Sequence, residues 1–285
     1  MISGTRYRLT LEINRQTRLA QEIARAQAEI SSQKKILAPS DDPIGAARVS
    51  QIAQAQANEE AWLRNLSVAE GLAARGNNNL TSIASALDRA NELMLSARNE
   101  TYSAADRAVF AQELRGIADD VASLMAARDD RGEPLFRSNA ELQIPVSAGI
   151  TLSPVAGYAA LFEGIPATTG PAALGDILRD AADAVEIADP AARAAAITVS
   201  LDDVQAGQTR IRAARSDQGV RAARIDSIVD RLEESKITLA GQRIDIEGVD
   251  MPEAIARMQS RDLSLKAAQA IFANVNQSTL FDLLR

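Results

Sequence analysis

Two long stretches at opposite ends of the chain carry the same kind of narrow apolar stripe, and the segment midway between them carries none. Between Arg6 and Leu37 the residues Leu9, Ile13, Leu19, Ile23, Ala26 and Ile30 recur at steps of 4, 6, 4, 3 and 4. That is a helical period and not the alternation of a strand. Between Pro252 and Leu284 the residues Ile255, Met258, Leu265, Ala268, Phe272 and Val275 recur at mostly heptad-like steps, followed by an apolar tail that includes Leu280 and Phe281. Stripes this narrow cannot sustain lone helices, so each needs a partner. An antiparallel coiled coil of the two ends satisfies both. The termini then lie together, available to copies of the chain or to related chains.

The interior divides by punctuation. Pro39-Ser40-Asp41-Asp42-Pro43 stops the first helix, with Asp42 as N-cap and Pro43 as the first residue of the next. Helical spacing continues through Trp62, Leu66 and Leu72, is expected to break at Gly76-Asn77-Asn78-Asn79, and resumes at Leu80. Ser103, with Asp106 three residues on, starts a further helix. Five of the nine prolines fall within residues 133–171, where Ile150–Leu152 and Tyr158–Phe162 are expected to pair as strands. Helices return at Leu174–Ile187 and after Asp189-Pro190, which repeats the cap-then-proline start, and Gly241 and Gly248 bracket a short link before the last helix. The fold class is mainly α: an elongated helical hairpin or bundle with a terminal antiparallel coiled coil and a small reduced β or irregular outer segment. The expected domains are 1–42 with 250–285 as the terminal coiled coil, 43–132 with 172–249 as a helical shaft, and 133–171 as the outer segment.

Composition limits the chemistry. With no cysteine and no histidine, thiolate sites, the commonest metal ligand and the usual general base are all missing. The acidic pairs Asp129-Asp130 and Asp202-Asp203 are adjacent in sequence rather than set across a pocket, so no catalytic, cofactor-binding or metal residues are assigned. A net charge of -7 argues against nucleic-acid binding, which needs a concentrated basic footprint. No run approaches the ~20 apolar residues of a membrane span, so membrane insertion is not expected.

The string from Ile30 to Ala47, Ile-Ser-Ser-Gln-Lys-Lys-Ile-Leu-Ala-Pro-Ser-Asp-Asp-Pro-Ile-Gly-Ala-Ala, strongly resembles the N-terminal signature of the bacterial flagellin superfamily. Its Pro-Ser-Asp-Asp-Pro version is similar to that of the hook-associated, junction branch of the family. Trp62-Leu63-Arg64-Asn65, Ala90-Asn91-Glu92-Leu93, Ala97-Arg98-Asn99-Glu100-Thr101, Arg128-Asp129-Asp130-Arg131-Gly132 and the ending Ser278–Arg285 support the same branch. The chain departs from the family at Gln33, where glycine is common, and at Pro134, where an aromatic is. The resemblance implies a structural adaptor joining hook to filament by self-assembly, with a short flagellin forming the filament itself as the alternative. It implies one continuous helix through Gly76–Asn79, against the local reading. It also implies a ring of identical subunits, contact with a neighbouring hook-associated protein and flagellin, and a cytoplasmic chaperone on the C-terminal helix. The expected location is the extracellular flagellum, reached through the flagellar type III apparatus without a cleaved signal. The expected assembly surface is Leu9, Ile13, Leu19, Ile23, Ile30, Ile255, Met258, Leu265, Phe272, Val275, Leu280 and Phe281, with Pro39, Ser40, Asp41, Asp42 and Pro43 as the hinge.

Overall fold

A computed structural model of the chain describes the backbone of residues 2–99 and 101–282; side chains are described for residue 7, residues 9–99 and residues 101–274. In chain order the elements are α1 (Ile2–Ser32), α2 (Pro43–Ala97), α3 (Ala104–Met125), β1 (Ile144–Ser147), β2 (Ile150–Leu152), α4 (Tyr158–Phe162), β3 (Ile165–Ala167), β4 (Gly170–Ala172), α5 (Leu174–Glu186), α6 (Pro190–Glu247) and α7 (Met251–Asp282). The fold is mainly α, and β1–β2 and β3–β4 are two separate antiparallel hairpins. The chain forms two compact units, residues 1–57 with 235–285 (unit 1) and residues 58–234 (unit 2).

Unit 2 holds most of the buried apolar surface. In α3 the residues Ala111, Leu114, Ala118, Val121 and Met125 are buried, at the 3- and 4-residue steps that keep one helical face inward. This face meets Leu174, Ile177, Leu178, Ala181 and Val185 of α5 in one core with Leu80, Ile83, Leu87 and Met94 of α2 and Ile197, Leu201 and Val204 of α6. At the rim Arg115 bridges Asp183 (3.0 Å) and Glu186 (2.7 Å). A second cluster joins Leu66, Ala69 and Ala73 of α2 to Ile144, Val146 and Leu152 of the first hairpin and to Ile225, Ile228 and Leu232 of α6, with Trp62 partly buried against it. Two buried glutamines have hydrogen-bond partners, as buried amides must. Gln208 donates to the Leu87 carbonyl and the Asp88 carboxylate, and Gln218 to the carbonyls of Ala73 and Pro154.

Four local expectations fail for identifiable reasons. The first helix ends at Ser32 rather than Leu37, because Gln33 turns into the left-handed region at φ 58. The helix α2 runs unbroken through Gly76–Asn79: Gly76 is buried against Val155, 3.1 Å from where a β-carbon would lie, and Asn79 reaches the Leu124 carbonyl at 3.4 Å. Tertiary packing overrides propensity there. Tyr158–Phe162 is a short helix and not a strand; it buries Leu161 and Phe162, the latter edge-on to Phe136 at 5.1 Å. A five-residue apolar run does not by itself distinguish the two states. Finally, α6 passes straight through Gly241, which has open space around it, and the link before α7 is only Gly248–Asp250.

Candidate assembly interface

The helices α1 and α7 pack on each other, and their ion pairs fix the direction. Glu22 meets Arg261 at 3.2 Å and Glu29 meets Arg257 at 3.5 Å, so advancing along one helix means retreating along the other: the pair is antiparallel. Small residues sit deepest, with Ala26, Ala254 and Ala268 buried. Of the expected surface residues, Leu19, Ile23, Ile30, Met258, Leu265 and Phe272 are half-buried, whereas Leu9, Ile13 and Ile255 stay exposed. The side chains of Val275, Leu280 and Phe281 lie outside the described residues. Coverage of α1 thus thins toward its N-terminal half, where Ile13 is 50% exposed. Sequence reading overlooked Ala254, too small to stand out in a stripe. It also overlooked Tyr7, Leu11, Leu263 and Ile271, which are exposed apolar residues off the expected faces.

The connections at the base of this pair are tied to each other. Lys35 donates its amide to the Glu247 carbonyl (2.7 Å), and Val249 donates to the Gln33 carbonyl (3.2 Å), forming an antiparallel bridge between Lys34 and Gly248. Glu247 accepts from both Lys34 (3.2 Å) and Arg243 (2.9 Å), and Arg243 also reaches Gln56.

The two signature aspartates divide the labour. Asp41 Oδ2 accepts the amides of Leu37 and Ala38, each at 3.0 Å, while Oδ1 meets Arg25 at 2.9 Å. The Ala38 amide, then Leu37 and Arg25, hold its carboxyl below the usual aspartate range against a desolvation that pushes the other way. Asp42 Oδ1 accepts the amides of Ile44 (3.1 Å) and Gly45 (2.9 Å), capping α2 at Pro43. Gly45 is required beside it, since a β-carbon there would run into the Asp42 carboxylate and Ile36. Pro39 and Ser40 are exposed in the turn.

Among the described residues no group of three or more histidine, cysteine, aspartate or glutamate side chains could hold a metal ion. Asp129 accepts the amides of Arg131 and Glu133, Asp130 pairs with Arg75, and Asp203 fastens Thr168. Asp129, Asp130 and Asp203 thus each hold a neighbouring segment in place. No helix among the described residues is long and apolar enough to cross a membrane.

The bacterial flagellin N-terminal helical region matches residues 9–140, and the bacterial flagellin C-terminal helical region matches residues 201–284. Residues 141–200, with both hairpins, α4 and α5, fall between the matches. Flagellar hook-associated protein 3 of Salmonella typhimurium is 32% identical over 108 residues, 38% of this chain and 34% of that protein. The alignment therefore spans about a third of the length of the curated relatives. The crystal structure of flagellar hook associated protein-3 from Legionella pneumophila superposes with a TM-score of 0.63 at 10% identity, covering 68% of this chain and 97% of that one. The flagellar junction protein FlgL from Legionella pneumophila gives 0.58 at 11% identity, covering 70% and 99%. At these identities the structural likeness is one of fold.

Proposed function

Because this chain belongs to the bacterial flagellin family, we propose that it is a structural part of the flagellum, an adaptor joining hook to filament through self-assembly of its terminal helices. The observation that carries this reading is the antiparallel α1–α7 pair with apolar residues left uncovered along it, Leu9, Leu11, Ile13, Leu263 and Ile271. Apolar residues left uncovered along one helix pair support an interaction site there. The identity to proteins named flagellar hook-associated protein 3 favours the junction over the filament body. On this reading residues 1–42 and 250–285 form the inner layer of a ring of copies, 43–132 and 172–249 the shaft, and 133–171 the outer segment. The ring contacts a neighbouring hook-associated protein on one side and flagellin on the other. A cytoplasmic chaperone covers the C-terminal helix before passage through the flagellar type III channel to the outside. The role is mechanical and not enzymatic.

The test is electron microscopy of cells whose only copy of the gene carries both Ile23→Asp and Phe272→Asp. An unpaired charge is costly once assembly buries the seam, so the protein should be exported while hooks remain bare and flagellin is lost to the medium. Normal filaments on such hooks would overturn the reading. Loss of long filaments built from this chain itself would instead identify a short flagellin.

A further inference from the structure

The signature turn and α7 are linked across α1 by a continuous run of charges. Asp41 Oδ1 meets Arg25 Nη2 at 2.9 Å, Arg25 Nε meets Glu29 Oε1 at 3.1 Å, Glu29 Oε2 meets Arg257 Nη2 at 3.5 Å, and Arg257 Nη1 meets Glu253 Oε1 at 3.7 Å. The acids at the centre are largely covered: the side chains of Asp41 and Glu29 are 16% and 13% exposed. Exposed pairs contribute little, but two covered carboxylates that share one guanidinium are tied to each other through it: without Arg25, Asp41 keeps only its turn amides and Glu29 keeps only Arg257, so the link between the turn and α7 is cut. Arg25 suits this place through its planar fork, Nε donating to one acid and Nη2 to the other. Asp41 in turn holds the Leu37 and Ala38 amides, so the backbone of the turn hangs on the same chain of charges.

We infer that Arg25 is a positioning residue that makes the signature turn and the seating of α7 on α1 a single cooperative element, so that displacing α7 releases the turn. The inference is independent of the junction role, because it concerns coupling within one chain. A chain of contacts is evidence of coupling only when a change at one end is felt at the other. The measurement is hydrogen exchange by mass spectrometry on the full chain, following residues 33–42 and 251–262 separately. Arg257→Gln, on α7, should raise exchange of Leu37 and Ala38 as well as of α7, by roughly two- to fivefold. Asp41→Asn should in return loosen α7. Arg25→Lys keeps the charge but offers a single head, and should fall short of wild-type protection in both segments. Arg89→Gln, which breaks a comparable pair with Glu113 in unit 2, should change neither. If Arg257→Gln loosens α7 alone, if the turn is unprotected in the wild type, or if Arg25→Lys is fully protected, the coupling is refuted.

Discussion

Gln33 is the sole non-glycine residue with positive φ among those described, and it sits directly after α1. Left-handed backbone is disfavoured for a residue with a β-carbon, and helix ends relieve this by placing glycine at this position. Gln33→Gly is therefore expected to stabilise unit 1 by about 1 kcal/mol, read as increased exchange protection of the last turn of α1. Ser103 and Asp106 form a reciprocal capping box at α3, and Ser103→Ala should cost about 1 kcal/mol in urea unfolding. The Ser103 hydroxyl, then its amide, hold the Asp106 carboxyl below the ordinary aspartate range. A depressed folded value means that the contribution is complete above the unfolded pKa, near 4, and is lost as pH falls through the folded one. The stability difference between wild type and Asp106→Asn should accordingly be constant near neutrality and shrink in acid. A difference that grows in acid would contradict the assignment.

At the scale of elements, two glycines in one helix make opposite predictions. Gly71 has nothing within 4 Å of a β-carbon, so Gly71→Ala should gain about 0.8–1 kcal/mol of helix propensity. Gly76 faces Val155, and Gly76→Leu should lose about 1–3 kcal/mol by overpacking; equilibrium urea unfolding of both variants checks the pair. The same contrast explains what was legible in advance. The caps at Asp42, Ser103 and Asp189 could be read because they act within three residues of themselves. The end stripes could be read because their period is local. Continuity at Gly76 could not be read from the local residues and came only with the family resemblance, since its packing partner Val155 lies far along the chain, and neither could the state of Tyr158–Phe162, whose Phe162 packs on Phe136. Asp41 is intermediate: its turn is local, while its partner Arg25 lies on a different element.

For the whole molecule, the distribution of buried apolar residues predicts unequal stability. Both large clusters belong to unit 2, whereas among the described residues of unit 1 the buried apolar ones are Ala26, Ile52, Ala254 and Ala268. Units with such different burial need not unfold together. Calorimetry of the isolated chain should resolve two transitions, the lower assigned to unit 1. Ile23→Asp should shift the lower one and leave the upper unchanged. A single transition displaced as a whole by that substitution would show that the units are energetically one.

The two hairpins differ in what their tips could carry. Thr168, in the turn between β3 and β4, is fastened to Asp203 through both its amide and its hydroxyl. At the tip between β1 and β2, Ala148 and Gly149 are exposed, and Gly149 adopts φ +71 with open space around it. Exposed tips with small residues are where added sequence is best tolerated. A foreign epitope spliced between Ala148 and Gly149 should leave both helical clusters intact, making this turn the natural graft point for a displayed peptide.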